Sequence, residues 1–302
     1  MPRLSRFVPV IAATAVAALA LAGCGIGSDP LSGAGASEEA IVIGSQEYYS
    51  NEIIAEIYAQ ALEEAGYPVE RQFRIGQREV YLPEIEAGAI DLFPEYTGPL
   101  LQYWSPDTQD RREEDVYPAL VDAAPSDLRI LDASPATDQD AYVVSKDFSE
   151  KYGVTSVADL ADVPHALTLG GNSEGAERPI GPRGLSEVYG VSVDFTPIED
   201  GGGPLTVKAL TDGDIDLAVL YTGSPSLSDR DLVQLEDPKG LLLSSHVVPV
   251  ASEKIDDQAA EIINDISAEL TPEGLLELNT RSVEEQSSAG NLAAEWLEEH
   301  LE

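Results

Sequence analysis

The sequence predicts an α/β protein made of two similar units, and three observations carry that prediction. Extended apolar runs alternate with helix-patterned stretches through residues 40–252, the order that gives parallel sheets with right-handed crossovers. The alternation restarts near residue 141. Each unit also ends on one shared phrase, "AIDLFPEYTG" at 89–98 and "DIDLAVLYTG" at 214–223.

The elements follow in order. "AIVIGSQ" (40–46) is a β-rich first strand ending at Gly44. In the next stretch, 50–67, Ile53, Ile54, Ile57, Tyr58, Ala61 and Leu62 fall on one helical face. Ser50 or Asn51 is placed to cap that helix and Gly66 to stop it. "PVERQFRI" (68–75) reads as a second strand, "REVYLPEIEAG" (78–88) as a short helix disturbed by Pro83, and 89–98 as a third strand running into a loop. The second unit reads as strand 141–148, helix 156–163, strand 166–171, helix 181–190, strand 191–198, helix 203–213, then strand and loop 214–223. Residues 241–252 are apolar and extended, and helical stretches occupy 256–270 and 293–301.

The N-terminus has a different character. "MPRLSRF" supplies two Arg, and a short Ala-rich apolar run leads to "LAGC" at 21–24. This is the layout of a signal peptide, and the run is too short for a membrane span. "LAGC" resembles a bacterial lipobox, which makes Cys24 the lipidated first residue of the mature chain. Cys24 is the only cysteine, so no intrachain disulfide can form. The Gly/Ser/Ala-rich stretch 25–40 reads as a flexible tether that places the folded part outside the cytoplasmic membrane.

Composition restricts the function. The 302 residues carry a formal net charge of −38, which argues against charge-driven binding of nucleic acid or anionic lipid; it reads first as a solvated acidic surface and is compatible with attracting a small cation. No phosphate loop or dinucleotide fingerprint occurs. Three scattered His offer no metal-ligand spacing, and no cofactor is implied. Gly171-Asn172-Ser173-Glu174-Gly175 is a literal G-x-S-x-G, but only His246 and His300 follow it and the rest of a hydrolase constellation is absent. The chain is therefore read as a binding protein, not an enzyme.

The candidate site is built from strand-end loops, where ligands of parallel sheets sit. Tyr96 and Tyr221 occupy the two matching phrases, and Tyr142 lies on the strand that opens the second unit. Ring faces attract cations, and a quaternary ammonium has no conventional donor to offer, so several rings are the natural solution. The competing reading makes these Tyr ordinary packing residues. Thr97 and Thr222 join the candidates from the same phrases, and Gly98 and Gly223 are expected to permit a tight return. Arg178, in a Gly-rich stretch between a strand and a helix, can fork onto a carboxylate. Its alternatives are a surface ion pair, or Arg183 in its place.

Taken together, "IVIGSQEYYSNEIIAEIYAQALEEAGY", "AGAIDLFPEYTG", "AYVVSKDFSEKYGVTSVADLA", "LTLGGNSEGAERPIGPRGL" and "DGDIDLAVLYTG" resemble the substrate-binding lipoproteins of ABC importers for glycine betaine, choline and related osmolytes. The resemblance implies a type II periplasmic-binding fold. Residues 1–23 would be the signal peptide and 24–39 the lipidated Cys and tether. One lobe would span 40–140 plus 246–302 and the other 141–245, with crossover strands near 139–143 and 243–248. It further implies an aromatic box holding the ammonium head, to which Tyr96, Tyr142 and Tyr221 correspond, and a carboxylate-binding Arg, to which Arg178 corresponds. Departures occur at Gln46, where a Lys is common, at Pro99 after Gly98, and at "SSHVVP", where Ser245 and His246 replace a Tyr-bearing segment. Gln46 and His246 are thus added to the ligand-binding candidates. The implied function is capture of a quaternary-ammonium osmolyte for a membrane permease by a monomer anchored at Cys24. Ergothioneine or carnitine as ligand, and ligand sensing in place of import, are the alternatives.

Overall fold

The computed structural model describes residues 40–228 and 231–301. The expected signal peptide, the lipidated Cys24 and the tether up to residue 39 lie outside these. No described helix is long and apolar enough to cross a membrane.

Two mixed five-stranded sheets form the frame. The first contains β1 (Ile41–Gly44), β2 (Val69–Gln72), β3 (Leu92–Tyr96), β4 (Leu128–Ile130) and, after a long excursion of the chain, β10 (Val247–Ser252), in the order β2-β1-β3-β10-β4. The second contains β5 (Asp140–Ser145), β6 (Leu167–Gly171), β7 (Val193–Pro197), β8 (Leu217–Tyr221) and β9 (Leu232–Gln234), in the order β7-β6-β8-β5-β9. The two orders are equivalent. In each, the strand next to the edge (β10 or β5) runs antiparallel to its neighbours and is the one that arrives from the other lobe. The crossing segments meet at a bridge between Thr137 and His246.

The inner strands of both sheets are covered on two faces and read as near-continuous apolar runs, while the edge strands β2 and β7 are partly exposed and more polar. Helix α1 (Tyr49–Glu64) packs with the C-terminal helices α8 (Asp257–Glu269), α9 (Pro272–Glu284) and α10 (Ala289–His300) on the face that carries Ile41 and Ile43. Helices α2 (Arg78–Glu86), α3 (Thr97–Trp104) and α4 (Glu113–Ala123) cover the face that carries Val42. In the second lobe, Tyr142 and Val144 face α5 (Lys146–Tyr152), a 3₁₀ segment at Val157–Asp162, and α6 (Pro182–Gly184) with its π-helical continuation Leu185–Tyr189. Ala141 and Val143 face α7 (Pro204–Asp212).

The six apolar residues expected on the inner face of α1 are all buried, and Gly66 ends the turn after the helix at φ +92°. The start of α1 differs from expectation. Neither Ser50 nor Asn51 is the cap residue: the helix begins at Tyr49, and Asn51 instead accepts from Gln46 N at 2.8 Å and donates to Pro94 O at 2.8 Å. The loop after β1 is thereby sewn to β3. The strand expected over 141–148 stops at Ser145, whose hydroxyl accepts from Phe148 N and starts α5. Thr97, expected in a loop, is the first residue of α3.

Candidate functional site

β3 and β8 each deliver a Tyr at their carboxyl end, and each following Thr clasps a crossing segment in the same way. Thr97 N donates to His246 O at 3.0 Å, and His246 N returns a bond to Thr97 Oγ1 at 3.0 Å. Thr222 N donates to Gln139 O at 2.9 Å, and Gln139 N returns one to Thr222 Oγ1 at 2.8 Å. The glycines complete the clasp by close approach, not by an unusual φ. A Cβ at Gly98 would stand 2.6 Å from Ser244 O, and one at Gly223 would stand 2.8 Å from Asp138 Oδ1. The repeated Tyr-Thr-Gly is therefore a corner that presents a ring and seizes the opposite crossover.

The rings meet between the lobes, joined by one the sequence analysis did not single out. Tyr48 follows β1, the same kind of strand end as the other two, and that position was its available signal. Its ring stacks on Tyr221 with centroids 5.3 Å apart and lies 6.5 Å from the ring of Tyr96. Tyr48 donates to Asp138 Oδ2 at 2.7 Å, so the short hydroxyl contact between Tyr48 and Tyr96 takes its proton from Tyr96. Asp138, just before β5, also accepts from Gly223 N at 3.0 Å. Burial pushes its carboxyl up to about 6, against the lowering effect of the Tyr48, Gly223 and Ser50 bonds. At 5.3 Å the Tyr48 and Tyr221 faces are in contact, so an ion between them requires the rings to part.

Beside the rings lies a charged rim. Arg78 is buried at the start of α2 and grips Glu95 with two bonds of 2.7 and 2.9 Å. Glu95 also accepts from Tyr81 Oη at 2.6 Å and from Tyr96 N at 2.7 Å. This pair fixes both the Tyr96 corner and the first turn of α2. From that turn Glu79 reaches across the cleft to Arg178, at 3.0 Å from Nε and 2.9 Å from Nη2, and Gln77 accepts from Nη2 at 3.3 Å. Asp140 pairs with Tyr221 across the β5–β8 ladder. Burial raises its carboxyl, while Arg178 and Arg78 act to lower it. A cavity of about 490 Å³ opens here, lined among others by Arg78, Glu79, Pro99, Tyr103, Asp140 and Arg178. A small recess of about 30 Å³ continues to Phe195 and Tyr221.

Three expected site residues stand elsewhere. Tyr142 is two residues beyond Asp140 on the same face, one step deeper along the strand. Its ring is fully buried in the second lobe's core, and its hydroxyl donates to Ile180 O at 2.5 Å. His246 precedes Val247, the residue paired with Tyr96, so it points to the opposite face of the sheet. There it donates through Nδ1 to Ser134 O at 3.0 Å and lines a different cavity of about 590 Å³ with Glu113 and Tyr117. Gln46 is buried behind the Asn51 loop, its Nε2 without a hydrogen-bond partner among the described residues. Thr97 and Thr222 spend their hydroxyls on the crossover backbone. Arg183, the rival to Arg178, lines the mouth of the 490 Å³ cavity.

Comparison with known proteins agrees with this architecture. Residues 39–299 match the family described as the substrate binding domain of the ABC-type glycine betaine transport system (OpuAC). The glycine betaine-binding protein YehZ of Escherichia coli is 25% identical over 275 residues, which cover 86% of this chain and 90% of that protein. The ergothioneine transport permease/ergothioneine binding protein EgtU of Helicobacter pylori is 23% identical over 274 residues, 86% of this chain and 48% of that protein. Among solved structures, a glycine betaine/carnitine/choline ABC transporter protein superposes with a TM-score of 0.68 at 20% identity, covering 86% of this chain and 98% of the other. Lactococcal OpuAC, closed on glycine betaine, gives a TM-score of 0.64 at 14% identity, with coverage of 87% and 96%.

Proposed function

This chain belongs to the family of substrate-binding domains of ABC-type glycine betaine transport systems, and on that premise we propose that it captures a quaternary-ammonium ligand between its lobes and delivers it to a membrane permease. One observation carries the reading: rings from both lobes, Tyr48 and Tyr96 on one side and Tyr221 on the other, converge on the buried carboxylate of Asp138. Ring faces and a negative carboxylate attract a methylated ammonium by charge alone, which suits a head that has no N–H to donate. Tyr142 supports the Ile180 wall from behind instead of touching the head. Arg178 provides for the other end of the ligand. Tyr48 stacks on Tyr221, so an ammonium head held between these rings parts them and ties both lobes, favouring the closed state by differential affinity.

Lipid attachment at Cys24, a monomeric state and an extracytoplasmic position on the cell membrane complete the proposal. Ergothioneine is the second reading for the ligand, supported by the roomy cavity lined by Pro99 and Tyr103 next to the rings.

Calorimetric titration of the protein from residue 25 onward with glycine betaine, choline, carnitine and ergothioneine tests this. Saturable binding of at least one ligand is expected. Tyr221→Ala should weaken it about 30-fold, the loss of one desolvated cation–ring contact worth about 2 kcal/mol. Tyr142→Phe should leave affinity within about threefold. No heat and no melting shift with all four ligands would overturn the reading.

A further inference from the structure

The Arg178 guanidinium is already occupied. Glu79 takes it with two parallel bonds of 3.0 and 2.9 Å, the fork-to-fork geometry that a ligand carboxylate would use. We propose that Glu79 is a specificity-determining residue, an internal carboxylate that a carboxylate-bearing ligand must displace from Arg178 and that a ligand without one leaves in place.

Three features make Glu79 more than a chance surface partner. It comes from the first lobe and Arg178 from the second, so the pair spans the cleft at the rim of the 490 Å³ cavity and both residues line it. Its neighbour Arg78 is buried and locked to Glu95, so the turn that presents Glu79 is rigid. It also sits in the first turn of α2, where a carboxylate is favoured by the helix dipole. Burial works to raise the Glu79 carboxyl, yet Arg178 holds it below the ordinary carboxylate value, so it is ionised at neutral pH.

The charges around the cleft then point one way. Arg78 is matched by Glu95 and Arg178 by Glu79. Among the described residues, the carboxyls of Asp138 and Asp140, next to the rings, make no ion-pair contact of their own. A net cation gains from both and disturbs neither ion pair. A zwitterion has to compete with Glu79 for Arg178 and brings a second negative charge to Asp140. The sequence left a ligand carboxylate and a surface ion pair both open for Arg178, because the acid that pairs with it lies 99 residues away and on the other lobe.

This inference rests on the quaternary-ammonium reading, and its test separates the two. Glycine betaine and choline are titrated into the protein from residue 25 onward, into Glu79→Gln and into Glu79→Ala, with melting curves to verify that each variant is folded. The expected result is a rise in the preference for glycine betaine over choline of about tenfold or more in both variants, from tighter glycine betaine binding. An unchanged ratio, or an equal loss for both ligands, would overturn the role of Glu79 while leaving the quaternary-ammonium reading intact. Failure of both ligands to bind any of the three proteins would remove that reading and this inference with it.

Discussion

The two Tyr-Thr-Gly corners share a backbone and differ in what holds them. At Tyr96 the preceding residue is Glu95, buried and bound to Arg78, Tyr81 and the Tyr96 amide, and the chain continues into α3. At Tyr221 the preceding residue is Leu220, buried among Ala141, Val143 and Leu210, and the chain leaves in a short turn. That turn leans on Asp138 and on Asn279 of α9, which donates to Gly223 O at 2.9 Å. The first corner is therefore clamped by charge inside its own lobe. The second is held by ordinary apolar packing plus polar contacts from the crossover and from a helix of the first lobe. The same phrase thus gives one wall clamped by a buried ion pair and one held by apolar packing and polar contacts, each tied to a crossing segment through its Thr.

The comparison breaks most visibly if the clamp is removed. Arg78→Ala leaves Glu95 ionised and buried with one cation fewer, and such losses cost about 3–5 kcal/mol. Leu220→Ala at the other corner should cost about 2–5 kcal/mol through the cavity it opens. Urea denaturation measures both; the clamp reading fails if Arg78→Ala costs less than about 1 kcal/mol. A smaller effect is expected at the glycines. A methyl at Gly98 meets backbone, Ser244 O, and one at Gly223 meets the Asp138 side chain. Overpacking of this kind costs about 1–3 kcal/mol. Gly98→Ala should lose more stability, because backbone yields least. Gly223→Ala should lose more ligand affinity, because Asp138 can move only by releasing Tyr48. Equal effects on stability and on affinity at the two sites would erase the distinction.

Much of the frame was legible because its signals are local. The alternation of apolar runs gave the order of the inner strands, and the duplicated phrase located both corners, but the short edge strands β4 and β9 and the helix α5 were not foreseen. Family resemblance gave the two-lobed fold with its crossovers. What stayed hidden depends on long-range pairing. Whether Tyr142 or Asp140 faces the cleft is a question of depth along one strand face, which periodicity leaves open. His246 looked like a replacement for a ring, but register against Tyr96 turns it to the other side of the sheet. Tyr48 stood in plain view beside Tyr49 in "QEYYSN", and only its stacking on Tyr221, 173 residues on, makes it part of the site. Helices α3, α4 and α9 were left unassigned, two of them with a Pro or Gly near an end that reads as loop and in fact lies in the first turn.

The finest test of the comparison uses pH, because the carboxylate at the second corner titrates within reach. Asp138 faces Tyr48, Tyr96, Tyr221, Ser50, the Gly223 amide and the charge of Asp140, and burial brings its carboxyl to about 6 in the folded protein. The unfolded chain holds the same group near about 3.9. The folded state therefore binds the proton more tightly, so this group makes stability fall as pH rises from about 4 to about 6, with the full cost present above that window. Binding of a cation runs the other way. It needs the ionised carboxylate, so affinity for a quaternary ammonium should be flat above pH 6 and fall by up to about tenfold per unit below it. Asp138→Asn should flatten both profiles and lower affinity at pH 7.5 toward the wild-type value at pH 5. Titrations at pH 5, 6 and 7.5 decide the matter: an affinity unchanged across that range would mean that the rings hold the ligand without the carboxylate, and that the second corner, like the first, serves only to place its Tyr.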